Sequence, residues 1–456
     1  MDQVNDLILK INDVLSNNIL VLALLGCGLF FTIYTRGVQF RKLGPAFKSV
    51  FGGVFKKSED GVSSFQALAV AIAAQVGTGN VAGVATAIIA GGPGAIFWMW
   101  IAAILGMGTI FAEACLAQKF RRKDSQGNYV GGPSYYLTYG VGAKFPKLGK
   151  ILAVLFSIFI TVALGFIGNM VQSNSIATAM QKAFQIPVLW SGVIIAILGG
   201  LIFAGGIKRI ANFAQLIVPV MAVIYLVLAV LILFNFRSQL LPSLALIFKA
   251  AFNPQAALGG ALGVTVRQAI TKGVARGLFS NEAGMGSTPH AHATAMVDHP
   301  ADQGYIAMVG VFIDTIVVCT ATALIILVTG AHTSGLEGAL VTQEAFQRAF
   351  GAFGAGALAI SLAFFAFSTV IGWYYFGETN MKFLFGEKAL WPYRILVMFC
   401  IVFGSVQKID VVWNMSDLFN SFMVVPNVIG IILLHKYVRE MQEEKEALEI
   451  SSLDKR

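Results

Sequence analysis

The stretch Gln75-Val76-Gly77-Thr78-Gly79-Asn80 lies in the middle of an otherwise apolar segment that runs from Ser63 to Ala90. Two glycines, a hydroxyl and two carboxamides are unsuited to lipid contact, because an unsatisfied polar group in hydrocarbon costs several kcal/mol. We therefore predict a membrane helix that is broken here around a polar ligand. Carbonyls freed at the break can bind a cation, and the amides that open the next half-helix can bind a carboxylate.

The composition indicates a membrane protein along most of its length. Hydrophobic residues make up 57% of the chain and charged residues only 12%, whereas soluble domains are about a quarter charged. At roughly 20 residues per span, the apolar segments predict about eleven transmembrane helices. They lie near 19–35, 65–90, 94–117, 149–180, 188–205, 213–235, 258–281, 304–329, 353–379, 390–406 and 411–435.

The net charge of +9 is explained by membrane topology and needs no nucleic-acid partner, because the basic residues cluster in alternate loops. The clusters after the first, third and fifth helices are Arg36, Arg41, Lys42, Lys48, Lys56 and Lys57; Lys119, Arg121, Arg122 and Lys123; and Lys208 and Arg209. The positive-inside rule then predicts a multi-pass plasma-membrane protein with its N-terminus outside and its C-terminus in the cytoplasm. The N-terminus lacks the basic start of a signal peptide, so we expect the first helix to be retained.

Hydropathy also predicts the domain organisation. Residues 1–62 hold an extra transmembrane helix and a cytoplasmic basic loop, and residues 438–456 form a solvated cytoplasmic tail. Residues 63–236 and 237–437, the latter after an extracellular loop, hold five helices each and start on opposite sides of the membrane. Such inverted repeats are typical of transporters that bind substrate at the midplane, where the first helix of each repeat is broken.

The break in the second repeat has two candidate positions. The flexible stretch Gly259-Gly260-Ala261-Leu262-Gly263 is one, and the more polar Phe279-Ser280-Asn281-Glu282 is the other. We place the break at 279–282, where charged residues inside a span indicate function and Phe279 can enclose a small apolar side chain. The glycine stretch remains the alternative.

Three motifs in order resemble those of the alanine/glycine:cation symporter family. The stretch Gly91-Gly92-Pro93-Gly94-Ala95-Ile96-Phe97-Trp98-Met99-Trp100, ending at Gly106, is similar to the family signature, and the blocks at 77–81 and 277–287 resemble two others. The resemblance covers the whole chain. It implies an all-α polytopic protein of the leucine-transporter (APC-type) fold, with two inverted five-helix repeats and here one additional N-terminal helix. It also implies sodium-driven uptake of small neutral amino acids, alanine and glycine first.

The resemblance implies a sodium site. Gly77, Gly79 and Asn80 match the Gly-x-Gly-Asn at the break of the leucine transporter. On this match the co-transported sodium ion is bound by the carbonyls of Ala73 and Val76 and by the paired hydroxyls of Ser368 and Thr369. Sodium, a hard cation, takes several oxygen ligands. Gln75 replaces a small residue of the leucine transporter, which argues against a second sodium site at Asn80.

The candidate substrate-binding residues come from the broken helices and from two helices expected to line the site. The amides of Thr78 and Gly79 are expected to face the substrate carboxylate. The full set is Gln75, Thr78, Gly79, Asn80, Asn169, Gln172, Phe279, Asn281 and Trp373. Hydrogen bonding between helices is the alternative for Asn169 and Gln172, and plain packing is the alternative for Trp373.

Other polar residues in the spans have simpler interpretations. Glu113 and Asp314 are single carboxylates that are expected to pair with basic groups, with proton coupling as the alternative. His290 and His292 lack a third metal ligand nearby, and the four cysteines are far apart in sequence. Without a phosphate-binding loop, nucleophile or metal cluster, the chain is expected to be neither an ATP-driven pump nor an enzyme. A proton-coupled permease and a passive channel remain alternatives.

Overall fold

The computed structural model describes residues 8–12, 14–53, 61–253 and 265–453, and the fold is predominantly helical. In the first half the helices are α1 (Val21–Tyr34, preceded by a π-helical turn, Leu15–Leu20), α2 (Val38–Gly53), α3 (Ser64–Gln75), α4 (a π-helical turn, Gly79–Gly83, continued as Val84–Gly91), α5 (Ala95–Lys119), α6 (Pro133–Tyr136, continued through Leu137–Val141 to Gly142–Lys144), α7 (Pro146–Ile160, a π-helical segment Thr161–Gly168, and Asn169–Phe184), α8 (Val188–Phe203) and α9 (Gly206–Asn235).

In the second half the helices are α10 (Arg237–Phe252), α11 (Val266–Asn281), α12 (Pro289–Ala293), α13 (Pro300–Val311, a π-helical segment Phe312–Cys319, and Thr320–Val328), α14 (Ala339–Phe385), α15 (Leu390–Ser405), α16 (Ile409–Leu433) and α17 (His435–Leu453). Short 3-10 turns occur at Ala331–Thr333 and Glu387–Ala389. Gly351, with φ 62° and ψ −145°, interrupts α14 and separates a short first part from a membrane-length second part.

Four two-residue strands form two pairs. Strand β1 (Val62–Ser63) pairs in parallel with β4 (Ala295–Met296), with Val62 opposite Ala295 and Ser63 opposite Met296. Strand β2 (Arg122–Lys123) pairs antiparallel with β3 (Tyr129–Val130). The β1–β4 pair joins the start of α3 to the chain that follows α12. We call this side of the molecule, where α5 ends at Lys119, the basic side.

The spans agree with the predicted apolar segments. Within the described ranges, seven helices are long and apolar enough to cross a membrane, and nine qualify if the bent pairs α1/α2 and α3/α4 are each counted as one span. The shorter helices α8 and α11 coincide with two further predicted segments, although residues 258–264 of the latter lie outside the described residues.

The predicted break at 75–80 is present. Helix α3 begins with a capping box, in which the Ser63 side chain accepts from the Gln66 amide and the Gln66 side chain accepts from the Ser63 amide. It ends at Gln75, because Val76 has φ −83° and ψ 89°, outside the helical region. The chain resumes as α4 at an angle of 49° to α3. A kink of this size at a glycine pair has an identifiable local cause.

The break in the second repeat follows Asn281. Glu282 adopts the left-handed conformation with φ 58°, and Gly284 and Gly286 have φ 85° and 79°. Helix resumes at Pro289 in the short α12. This agrees with the placement at 279–282, and the alternative stretch 259–263 lies outside the described residues.

Three segments that the sequence analysis treated as loop or tail contain helix. The basic loop within 1–62 holds α2, bent by 81° from α1, and the loop before the second repeat holds α10. The charged tail from Arg439 on continues α17, which differs from the expected solvated segment. Its Val438 and Met441 are buried, and Lys445 forms a 2.7 Å ion pair with Asp302. Two apolar residues three positions apart suffice to attach one face of a helix.

The glycines of the signature-like stretch permit close packing of the spans. A Cβ on Gly94 would lie 2.3 Å from the backbone of Ala250, and one on Gly273 would lie 2.2 Å from the Ala95 carbonyl oxygen. Small residues let membrane helices approach closely, so α5 packs tightly against α10 and α11. The second broken helix is thereby held beside the first.

Candidate substrate and sodium site

The four predicted sodium ligands lie together. Thr369 Oγ1 on α14 is 2.9 Å from the Ala73 carbonyl oxygen and 3.4 Å from that of Val76. Ser368 Oγ is 3.3 Å from the Ala73 carbonyl oxygen. All four residues are buried. The break of α3 therefore faces the hydroxyl pair of α14 directly.

The end of α3 explains why these oxygens converge. The last carbonyls of a helix have no partner within the helix, so those of Ala73 and Val76 are available to other groups. Gly77 follows, and a Cβ on it would lie only 2.3 Å from Thr369 Oγ1. Only glycine leaves room for the hydroxyl at this position.

The hydroxyl protons have another acceptor. Ser368 Oγ and Thr369 Oγ1 lie 2.8 and 3.1 Å from the Phe365 carbonyl oxygen one turn earlier in α14. This back-bonding was the structural alternative for the pair. The two interpretations are compatible, because a hydroxyl that donates its proton to Phe365 still presents lone pairs toward Ala73 and Val76. Without a cation Thr369 can donate to Ala73 instead, and carbonyl and hydroxyl oxygens that converge in this way are the ligands that a hard cation takes.

The start of α4 provides hydrogen-bond donors. Gly79 is its first residue, so no carbonyl within the helix can accept from its amide. Thr78 Oγ1 is buried and has no hydrogen-bond partner. The Thr78 amide, which we expected to face the substrate, instead donates to Gln172 Oε1 at 3.1 Å. Gln172 thus lies on the break, as predicted for a lining residue of α7.

Both polar atoms of the Asn80 side chain have hydrogen-bond partners. Its Oδ1 accepts from the Gly77 amide at 2.9 Å, which closes the break, and its Nδ2 donates to Asp314 Oδ1 at 2.6 Å. Asp314 also accepts from Ser280 Oγ at 3.0 Å and from Thr315 Oγ1 at 2.7 Å. Over the described part of the chain no ion pair to Asp314 is found, so the expected basic partner is absent there.

Gln75 and Asn281 connect the two broken helices. Gln75 Nε2 donates to the Asn281 carbonyl oxygen at 2.6 Å. Asn281 Nδ2 donates to Thr315 Oγ1 at 3.1 Å, and its Oδ1 accepts from the Ala283 amide at 3.0 Å. Both side chains therefore support the breaks structurally. Gln75 Oε1 is buried and has no hydrogen-bond partner.

Glu113 holds the second break, a role that the sequence analysis missed. Its carboxylate accepts from the amides of Gly284 and Gly286 at 3.0 and 2.9 Å and from Asn427 Nδ2 at 2.6 Å. A single sequence does not reveal this contact, because Glu113 and the two glycines lie far apart in the chain and share no local pattern. The partners of Glu113 are two backbone amides and the Asn427 side chain instead of the expected basic group.

Aromatic rings form one wall of the site. The rings of Phe279 and Trp373 meet edge to face, with centroids 6.1 Å apart, and Trp413 packs on Phe279 at 5.1 Å. Trp373 Nε1 donates to Glu282 Oε1 at 2.5 Å. Phe279 and Trp373 are both candidate substrate residues from the sequence, whereas the sequence analysis assigned no role to Trp413 or to the Glu282 side chain.

Other candidates have structural partners. Asn169 Nδ2 donates to the Gly165 carbonyl oxygen of its own helix at 2.9 Å, whereas its Oδ1 is buried without a partner. His290 and His292 contact Asn380 and Gln303, each at 2.8 Å. Among the residues that the structure describes, no group of three His, Cys, Asp or Glu side chains could hold a metal ion. The cysteines Cys27, Cys115, Cys319 and Cys400 are free.

An ion pair lies on the side opposite the basic side. Arg276 on α11 forms a bidentate pair with Asp417 on α16, with distances of 2.9 and 2.8 Å. The Arg276 guanidinium also lies 5.0 Å from the centre of the Trp413 ring. Both partners and Phe279 line a cavity of ≈ 40 Å³, which has room for ordered water.

Two interrupted helices whose breaks meet inside a helical membrane protein define a transporter of the leucine-transporter fold. The crystal structure of MhsT in complex with L-phenylalanine shares this fold, with a TM-score of 0.56 and 16% identity over 83% of this chain and 89% of that one. The chain belongs to the sodium:alanine symporter family, whose family model matches residues 1–450. The resemblance seen in the three motifs is thereby confirmed.

Two named relatives are similar over nearly the whole length. The sodium/alanine symporter AgcS of Methanococcus maripaludis is 43% identical over 91% of this chain and 91% of its own. The probable sodium/glutamine symporter GlnT of Bacillus subtilis is 44% identical over 94% of this chain and 87% of its own. The family carries out sodium-coupled symport of amino acids across membranes, and its members are transporters and not enzymes.

Proposed function

We propose that this protein couples inward sodium flow to the uptake of small neutral amino acids, alanine and glycine first. The observation that carries the proposal is the convergence of the Ala73 and Val76 carbonyls with the Ser368 and Thr369 hydroxyls, directly before the start of α4. The carbonyl ligands for a cation and the amide donors for a carboxylate thus lie within a few residues of each other, on the two sides of the break. Binding of either ligand orders this break and thereby favours binding of the other ligand, which is the basis of coupling.

We assign sodium binding to the carbonyls of Ala73 and Val76 and to the hydroxyls of Ser368 and Thr369. These groups come from α3 and α14, which are far apart in sequence. A bound sodium ion therefore fixes the position of α3 relative to α14.

The substrate carboxylate is assigned to the start of α4. The Gly79 amide, the unpartnered Thr78 hydroxyl and the positive end of the helix dipole lie there. Gln172 accepts from the Thr78 amide through Oε1, which leaves its amide group as a further donor. Of the other predicted substrate residues, Asn80, Gln75 and Asn281 act by holding the two breaks in place.

The preference for small side chains is assigned to Phe279 and Trp373. Their edge-to-face contact, with Trp413 behind Phe279, leaves a rigid apolar wall. AgcS and GlnT bear the names of an alanine and a glutamine symporter, and the glutamine side chain is both larger and more polar than a methyl group. The aromatic wall favours alanine and glycine.

For the orientation, we propose an outside N-terminus and a cytoplasmic basic side, with repeats at 63–236 and 237–437. The positive-inside rule supports this assignment, because the basic clusters lie on the side where α5 ends. Single cysteines placed at Gln126 and Gly335, in loops at opposite ends of the spans, test it by labelling with an impermeant reagent in intact cells.

The experiment that tests the proposal is uptake of labelled alanine into proteoliposomes. An inward sodium gradient is expected to drive accumulation above the outside concentration, whereas a matched potassium gradient does not. Accumulation driven by a pH gradient without sodium would identify a proton-coupled permease. Equilibration without accumulation would identify a passive channel. Stronger competition by glutamine than by glycine would assign the protein to the larger substrate.

A further inference from the structure

The indole of Trp373 is fixed from three directions. Its Nε1 donates to Glu282 Oε1 at 2.5 Å, and Phe279 meets its ring at an interplanar angle of 89°. On the third side lies Gly168 of α7, where a Cβ would come within 2.6 Å of Cε3 and Cζ3 of the indole. Trp373 is 2% exposed, so the N–H has no access to bulk water.

Glu282 itself is held in an uncommon conformation. It is one of three non-glycine residues with positive φ among the described residues, at φ 58°, and it directly follows α11. Its second oxygen, Oε2, accepts from Ser287 Oγ at 2.5 Å. The carboxylate is thus anchored at both ends inside the interruption between α11 and α12. A strained residue that is held by its surroundings is typical of a functional site.

The indole N–H is a donor only, so its direction is set by the position of an acceptor. That acceptor belongs to the break of the second repeat, whereas the indole belongs to α14 beside the sodium residue Thr369. We propose that Glu282 is a positioning residue that sets which substrate side chains are accepted, by fixing the orientation of Trp373. This inference rests on the proposed function, because it takes Trp373 as a wall of the amino-acid site.

Glu282 and Gly168 are expected to act on the indole in opposite directions. Without the acceptor, the ring is free to turn away from its position, and the site accepts larger side chains. With a methyl group at Gly168, the ring is pushed away from α7 toward Phe279, and the site contracts. A merely structural role for either residue would lower binding of all substrates together.

The test measures inhibition of labelled alanine uptake in proteoliposomes by glycine, alanine, serine, valine and leucine. In Glu282→Leu, which keeps the volume and removes the acceptor, the valine-to-alanine ratio of inhibition constants is expected to fall roughly tenfold, the lower end of discrimination per methylene. Glu282→Gln retains an acceptor oxygen and is expected to keep the ratio. Gly168→Ala is expected to shift preference from alanine toward glycine.

Trp373→Phe provides a second route if Glu282→Leu does not fold, because it removes the N–H and keeps an aromatic ring. It is expected to reproduce the lower valine-to-alanine ratio. Where Glu282→Leu does fold, the double variant is expected to give the same ratio as Trp373→Phe alone. Unchanged ratios in Glu282→Leu, or in Trp373→Phe where the former is unfolded, would overturn the inference. The proposed function fails separately, if the unmutated protein shows no preference for alanine over valine.

Discussion

The hydroxyl of Thr369 lies 2.9 Å from the carbonyl oxygen of Ala73, although the two residues are 296 positions apart. This contact joins the first broken helix of one repeat to the third helix of the other. If sodium binds at this point, as we propose, it contacts both helices and its affinity reports their relative position. The proposed site then links sodium binding to the arrangement of the two helices.

Thr369→Ala is expected to raise the sodium concentration needed for half-maximal alanine binding by roughly 5- to 150-fold, the usual range of coupling between two ligands. The reason is the loss of one direct oxygen ligand. Alanine binding at fixed sodium should weaken as well. Isothermal titration with purified protein measures both affinities.

Thr379→Ala is the matched control, since Thr379 lies on the same helix, is buried and donates to the Tyr375 carbonyl oxygen at 3.0 Å. It should leave the sodium dependence unchanged. Equal sodium dependence in Thr369→Ala and the unmutated protein would show that Thr369 is not a sodium ligand.

Thr78→Val is expected to weaken alanine binding by roughly 10-fold or more, because a hydrogen bond to a charged group contributes about 1.5–3 kcal/mol. Valine keeps the shape and removes the unpartnered hydroxyl. Thr109→Val, at another buried threonine on α5, is the control and should bind alanine normally.

In the unmutated protein, alaninamide should compete poorly, because it matches alanine in size without its negative charge. Strong competition by alaninamide would remove the case for carboxylate recognition at α4.

Gly79→Leu is a less informative test of that carboxylate site. A Cβ at Gly79 would lie 3.1 Å from Ser280 Cα, so a larger side chain displaces α11 before it reaches a ligand. Loss of binding in this variant is expected, but it reports helix packing. Thr78→Val, which adds no volume, separates the two effects.

Phe279→Ala and Trp373→Ala are expected to admit valine and leucine, while alanine binding weakens by about 1–3 kcal/mol per methylene of lost contact. Each variant removes one ring of the edge-to-face pair. Competition against labelled alanine measures the change. Phe213→Ala, whose ring contacts Phe367 between α9 and α14, is the control for loss of an aromatic side chain. If both site variants keep the original order of competitors, the aromatic wall is elsewhere.

Arg276→Ala is expected to destabilise the protein by roughly 1.5–3 kcal/mol, because it removes a bidentate, charge-assisted pair with Asp417, whose side chain is 23% exposed. Thermal unfolding in detergent measures this loss. Exchange of the two charges, Arg276→Asp with Asp417→Arg, should recover part of it. The pair of Arg348 with Glu344 gives the comparison, because the Arg348 side chain is 35% exposed against 12% for Arg276, so Arg348→Ala should cost about 1 kcal/mol or less. Equal effects of the two substitutions would show that the Arg276 pair contributes no more than a surface pair.

The sequence was sufficient to predict the spans and the first break, for an identifiable reason. Hydrocarbon excludes unsatisfied backbone groups, so glycines and carboxamides within an apolar run at 75–80 have few structural interpretations. The convergence of Ala73 with Thr369 also followed, because a motif match supplied the partner helix. Composition and periodicity alone would have left Ser368 and Thr369 as back-bonded hydroxyls.

The contacts that the sequence did not reveal join distant polar residues. Glu282 with Trp373, and Glu113 with the amides of Gly284 and Gly286, depend on the packing of helices that share no local pattern. The helices α2 and α17 were missed for another reason. Their charged residues dominate the average hydropathy, whereas a few residues such as Val438 and Met441 are enough to attach them.

The pairing of β1 with β4 constrains how the basic side can open. Val62 and Ser63 lead directly into α3, and Ala295 and Met296 follow α12, so the inner halves of both broken helices share backbone hydrogen bonds. The Ala295 carbonyl oxygen also accepts from Gln118 at 3.0 Å and from Arg121. If α3 tilted alone, the backbone hydrogen bonds between β1 and β4 would break. Because Gln118 and Arg121 also attach this strand pair to the end of α5, α3 and α12 can move together only if the end of α5 moves with them or releases the Ala295 carbonyl.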